Sequence, residues 1–209
     1  MRSVLINWLL EIQSKLALSD RTLFMAVGIF DRVLVKKIIT RQRLQLLGIT
    51  SFFIASKFED VNPPDLDQLV YFCDDIYSRE EITSHEAEIL IMLDFNLVQI
   101  QPMDIYTSLL KSNKIQSQRI WSLGVLLLKT LLFFKHHCLF DPFQISVFAY
   151  NFSSQIAEEK YQQKFCERVQ PYFQILVQTV QQLRHLNLRS TIDLHRDLFL
   201  KISRVELYQ

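Results

Sequence analysis

Five histidines and three cysteines are the residues here whose types could bind a metal or act as base and nucleophile. Their spacing supports neither chemistry. His85, His185 and His195 stand alone. His136, His137 and Cys138 are consecutive, so at a helix end their side chains diverge instead of converging on an ion. Cys73, Cys138 and Cys166 are far apart, odd in number and in no Cys-x-x-Cys pattern, which reads as a reduced, intracellular chain. Gly28, Gly48 and Gly124 are too scattered to form a phosphate-cradling loop, and no residue is placed as an activated nucleophile. No metal, cofactor or catalytic residue is expected.

The remaining chemistry is recognition. Read as a helix, the first eight residues put Met1, Val4, Leu5 and Trp8 along one side, with Arg2 and Asn7 off that line. Periodicity alone assigns such an edge to a core. Leu9, Ile12 and Leu16 form a second apolar edge that can serve the core. Lys57 follows Ala55-Ser56 on an otherwise apolar stretch, where a cation costs free energy unless it is paired or reaches out to water. Glu80, Glu81, Glu86 and Glu88 read as a solvated acidic face.

These residues must be positioned by helices. Periodic apolar positions predict helices over Ser3–Leu16, from Ser19 or Asp20 through Leu34, and from Leu44 to about Asp60. The third is apolar or small around most of its circumference and should be central. Pro63-Pro64 closes it. Asp65 caps a short fourth helix, and Ser78 with Glu81 forms a capping box for a fifth, which stops near Asp94-Phe95. Val98–Pro102 reads as a linker. A second helical set follows over 103–110, 117–134, 142–158, 162–167 and 169–188, with a tail at 189–209. The domains are thus expected at 1–98 and 102–188.

The bulk numbers agree with an all-α chain. Hydrophobic residues are 49% and charged residues 22% of 209, with only 3 Gly and 5 Pro. No run of eighteen uninterrupted apolar residues suggests a membrane span, and the start does not resemble a signal peptide. Residues 1–100 hold 10 Lys/Arg against 14 Asp/Glu, and residues 101–209 hold 13 against 8. A net −4 beside a net +5 fits two domains with different surfaces and argues against a general nucleic-acid coat.

Several segments, in order, resemble the amino-terminal cyclin box, closest to the mitotic A/B type. They are Met1-Arg2-Ser3-Val4-Leu5-Ile6-Asn7-Trp8-Leu9, Thr22 to Val27, Asp31-Arg32, Leu44 to Gly48, Ala55 to Asp60, Pro63-Pro64, Tyr71 to Tyr77 and Leu93 to Leu97. The second half is similar to a carboxy-terminal box only in helix pattern, departing through shorter segments after Phe134 and a dense Phe/Gln character. The resemblance implies tandem five-helix domains without chemistry of their own. It implies a regulatory subunit that binds and allosterically activates a cyclin-dependent serine/threonine kinase in G2/M or S phase.

Residue by residue, the resemblance puts Lys57 and Glu86 together at the kinase contact. Phe58, Glu59, Leu90, Phe95 and Leu97 complete that face, with Phe95 the best hot-spot candidate. Met1, Val4, Leu5 and Trp8 line a groove for Arg-x-Leu substrates or inhibitors, Glu11 meeting the arginine and Gln45 the peptide backbone. Arg2 and Asp31 form a mostly buried structural ion pair. The implied partners are the kinase, as a heterodimer, and Arg-x-Leu peptides, without nucleic acid or membrane, in nucleus and cytoplasm. The alternatives are a degenerate cyclin that does not activate its kinase, or a nucleic-acid-binding module of the same fold. The latter should carry basic stripes on both repeats. The family usually has a helix before the Met-Arg segment, so the resemblance also implies either a fragment or a minimal cyclin.

Overall fold

The computed structural model describes residues 1–134 and 140–158, with side chains inside the last helix as far as residue 154. The chain divides into two compact units, Met1–Gln99 and Ile100–Gln209. The first contains α1 (Arg2–Lys15), α2 (Asp20–Lys36), a 3₁₀ turn (Arg41–Arg43), α3 (Leu44–Glu59), α4 (Leu66–Phe72) and α5 (Arg79–Met92). The second contains α6 (Pro102–Ser112), α7 (Gln118–Leu132) and α8 (Pro142–Glu158). Among the described residues there is no strand, and the architecture is all-α. The helices expected at 162–167 and 169–188, and the tail at 189–209, lie outside the described residues.

In the first unit α3 is the centre. Every residue from Leu46 to Ser56 is buried, and α1, α2 and α5 pack around it. Its small and apolar circumference is what permits neighbours on several sides. The buried Ser56 hydroxyl donates to the Phe53 carbonyl at 2.8 Å, so it is not left unsatisfied. Helix starts follow short polar side chains. Ser19 caps α2 and Ser117 caps α7 through the amides of Thr22 and Ile120. The expected box of Ser78 and Glu81 opens α5. A second reciprocal box, Asp65 with Gln68, opens α4. Each cap stabilises its helix by about 1 kcal/mol.

The core edge of α1 is the expected one carrying Leu9 and Ile12, both buried; it extends back one turn to Ile6 and includes Gln13, whereas Leu16 is only half-buried at the C-cap.

No positive-φ glycine occurs among the described residues, and two helices of the first unit leave through pairs of left-handed non-glycine residues. α4 leaves through Asp74 and Asp75 at φ 53° and 55°, and α5 through Asp94 and Phe95 at φ 53° and 54°. The amides of Asp75 and Phe95 return to the carbonyls of Val70 (3.2 Å) and Leu90 (2.9 Å). Aspartate tolerates the left-handed region; a bulky Phe there costs on the order of 1–3 kcal/mol and persists only where its surroundings hold it.

In the second unit α6 begins at Pro102 itself, one residue before the expected start, because proline suits the first helical position. Tyr106 is fully buried, donates to the Ile120 carbonyl at 2.6 Å and lies 3.2 Å from the Ser153 hydroxyl. It crosses α7 at Gly124, where a Cβ would lie 2.0 Å from the ring. No helix among the described residues is long and apolar enough to cross a membrane.

Candidate functional site

The site residues all lie in the first unit. At the C-terminal end of α3, Lys57 pairs with Glu86 of α5. The ammonium also sits 4.0 Å from the centre of the Phe53 ring. The Lys57 side chain is 41% exposed and that of Glu86 12%, so the lysine is held from two sides while remaining at the surface. Glu86 and Leu90 are one turn apart on α5, and the Phe95 amide bonds the Leu90 carbonyl. Lys57 and Glu86 are thus joined at the surface, Leu90 follows one turn along α5, and the Phe95 backbone is tied to Leu90.

α2 fixes the turn that follows α5. Arg32 donates to the Asn96 carbonyl at 2.7 Å, and Lys36 donates to the Met92 carbonyl at 2.7 Å. These bonds hold the turn in which Phe95 adopts its left-handed conformation. Phe95 is 69% exposed, Phe58 is 55% exposed, and Leu97 is half-buried. Large aromatics held out into water at such exposure are what an interaction face requires. The Glu59 carboxylate pairs with Arg21 of α2, at 2.8 Å from Nε.

His85, adjacent to Glu86, turns inward. It is buried, and its Nδ1 lies 3.4 Å from the Thr50 hydroxyl on α3. Burial lowers its pKa, with Arg43 and Lys37 acting in the same direction and Glu88 opposing them. Cys73 is buried, and desolvation aided by Asp74 pushes its thiol up to about 12, leaving it an inert core side chain. No group of three metal-ligating side chains occurs among the described residues. His136, His137 and Cys138 lie outside them, as do Cys166, His185 and His195.

The second face runs along α1. Met1 and Val4 are exposed, while Leu5 and Trp8 are half-buried. Leu5 seats on α3 at Gly48, where a Cβ would lie 2.8 Å from its Cδ1, so only glycine allows this approach. Gln45 is half-exposed one turn before Gly48 on α3. Glu11 is half-exposed and accepts from Asn7 at 2.8 Å. Lys15, in the last turn of α1, lies 5.6 Å from the centre of the Phe72 ring, which brings α4 beside that end of α1. Tyr71, 72% exposed beside Phe72, adds apolar surface there. The sequence reading gave Tyr71 and Phe72 no site role; an aromatic pair closing a short capped helix was the available signal.

Beneath this face, Arg2 clasps Asp31 through both guanidinium nitrogens, the second at 2.9 Å. The two side chains are 17% and 20% exposed, so the pair ties α1 to α2 from a partly buried position.

Comparison with known proteins adds to this geometry. Residues 1–98 match the family model described as the cyclin N-terminal domain. The chain is 46% identical over 97 residues to a putative cyclin-A3-1 of Arabidopsis thaliana. It is 46% identical over 97 residues to a G2/mitotic-specific cyclin-B3 of Canis lupus familiaris. It is 42% identical over 113 residues to the G2/mitotic-specific cyclin cdc13 of Schizosaccharomyces pombe. These matches cover 46%, 46% and 54% of this chain but only 27%, 7% and 23% of those relatives. Among solved structures, a viral cyclin from herpesvirus saimiri superposes with a TM-score of 0.69 at 21% identity, over 97% of this chain and 84% of that one. The yeast RNA Pol II CTD kinase CTDK-1 complex contains a chain matching at TM-score 0.64 and 11% identity, over 97% and 74%. At these identities the likeness is one of fold.

Proposed function

We propose that this chain, whose residues 1–98 match the cyclin N-terminal domain model, is the regulatory subunit of a cyclin-dependent kinase, without catalytic chemistry of its own. The observation that carries the reading is the patch at the ends of α3 and α5. There a paired lysine and glutamate stand with the exposed Phe58 next in the chain, and the exposed Phe95 sits in a turn that α2 holds through Arg32 and Lys36. An exposed aromatic whose backbone is already fixed loses little conformational entropy on binding, which is what a hot spot needs. Phe58, Lys57, Glu86, Leu90, Phe95 and Leu97 would meet the kinase. Contact there would bias the kinase toward its active arrangement, an effect of differential binding to two states and not of chemistry.

The α1 face supports a second role, docking of Arg-x-Leu peptides. Leu5 and Trp8 offer an apolar floor for the leucine. Glu11 offers a carboxylate for the arginine, with Gln45 able to bond the peptide backbone. The kinase patch and this face share no side chain, so activation and recruitment should be separable. The relatives named as G2/mitotic-specific favour a role in that phase.

The test is calorimetric titration of the full chain with a purified cyclin-dependent kinase catalytic subunit and, separately, with an Arg-x-Leu peptide. Saturable one-to-one binding of both is expected. Kinase binding without a rise in phosphorylation would favour a degenerate cyclin, and no kinase binding would overturn the proposal.

A further inference from the structure

The kinase-facing end of α3 is fastened to the start of α2 by a polar junction. The Ser19 amide donates to one carboxylate oxygen of Asp60 at 3.0 Å, and the Thr22 hydroxyl donates to the other. Thr22 is fully buried, while its own amide is occupied by the Ser19 hydroxyl at 3.2 Å in the cap of α2. Beside it Arg21 holds Glu59. Ser19, Arg21 and Thr22, at the cap and first turn of α2, thus grip two consecutive carboxylates that directly follow Lys57 and Phe58. The junction continues to α1, where Gln13 donates to Asp20 at 2.7 Å and to the Leu18 carbonyl at 3.2 Å.

Asp60 is the residue at which α3 stops, with extended backbone at φ −108° and ψ 145°. A helix end without such a tie frays, and its last side chains sample several directions. Anchoring the carboxylate to the amide of a capped helix start fixes that end, because a charged acceptor strengthens both bonds.

We infer that Asp60, held by Thr22 and Ser19, is a positioning residue for kinase binding: it fixes the direction in which α3 presents Lys57 and Phe58. This rests on the proposed kinase face. Neither Asp60 nor Thr22 need touch the kinase, and neither belongs to the α1 groove.

The experiment uses the full chain, a purified cyclin-dependent kinase catalytic subunit and an Arg-x-Leu peptide, with both affinities and the melting temperature measured. Thr22→Val keeps the buried volume and removes the hydroxyl. It removes the bond to Asp60 and the 2.9 Å bond to the Ser19 hydroxyl, and it should weaken kinase binding by about fivefold or more, because the loosened end of α3 must then be ordered on binding. Peptide affinity should stay unchanged, and Thr22→Ser should restore kinase affinity. Asp60→Ala should weaken the kinase at least as much, and combining it with Thr22→Val should add little, since the two share one interaction. Unchanged kinase affinity in Thr22→Val and Asp60→Ala would overturn the inference. Parallel loss of kinase and peptide binding with a lowered melt would overturn it too, by making the junction merely structural. If the wild-type chain binds no kinase, the functional proposal fails first, and the inference falls with it.

Discussion

Breaking the Lys57–Glu86 pair should harm kinase binding far more than it harms the fold. In the free chain Lys57 is 41% exposed, so the pair is solvent-screened and contributes about 0–1 kcal/mol to stability. The Phe53 ring at 4.0 Å adds about 0.5–1 kcal/mol of attraction for the ammonium. The double substitution Lys57→Ala, Glu86→Ala leaves no orphaned charge, so it should cost the first unit no more than about 2 kcal/mol. At an interface the same two groups would be covered and bonded. A hot-spot loss there is about 2 kcal/mol or more, close to a thirtyfold weaker Kd. Isothermal titration of the kinase against wild type and the double variant, with thermal melts of the free chains, measures both quantities. A folded variant whose Kd rises less than about threefold, and which still activates the kinase, would refute the assigned face.

The α1 face gives a separable outcome: Trp8→Ala with Leu5→Ala should weaken an Arg-x-Leu peptide by about tenfold or more while leaving phosphorylation of a short substrate without that motif intact. Equal loss of both activities would return those side chains to the core. Gly124→Ala should destabilise the second unit by about 1–3 kcal/mol or more, because the added methyl collides with the buried Tyr106 ring. Hydrogen exchange on α6 and α7 reads this directly, and wild-type protection would contradict the packing described. Folded His85 has a lowered pKa while its unfolded value is about 6.5, so the unfolded chain binds more protons between the two. Stability from this group is full above about pH 6.5 and declines as the pH falls toward the folded value. Urea unfolding at stepped pH should show that decline in wild type and a flatter profile in His85→Gln; identical slopes would argue against it.

How far the sequence carried differed by element. The central place of α3 was legible because eleven successive residues from Leu46 carry almost no polar face. The Ser78–Glu81 box and the Pro142 start of α8 were legible because capping and proline rules act within one turn. The Asp65–Gln68 box obeyed the same rule and was overlooked. Other features arise only from tertiary contact. The Asp60 junction joins residues 41 and 38 positions apart. The pairing of Glu59 with Arg21 depends on how α2 lies against α3. The left-handed Phe95 is unsigned in sequence, since no glycine marks it; its support comes from Arg32, 64 positions from Asn96. The core edge of α1 at Leu9 and Ile12 was legible from periodicity, while its extension to Ile6 and the burial of Gln13 were not.

The central claim, that this chain activates a cyclin-dependent kinase, is tested most directly by phosphorylation of a histone-type substrate lacking Arg-x-Leu. A fixed amount of catalytic subunit is titrated with the purified full chain. The account predicts a saturable rise in rate that levels at one chain per kinase and shifts to higher concentration with Lys57→Ala, Glu86→Ala. A flat rate across the titration, with the wild-type chain folded and in excess, would contradict it.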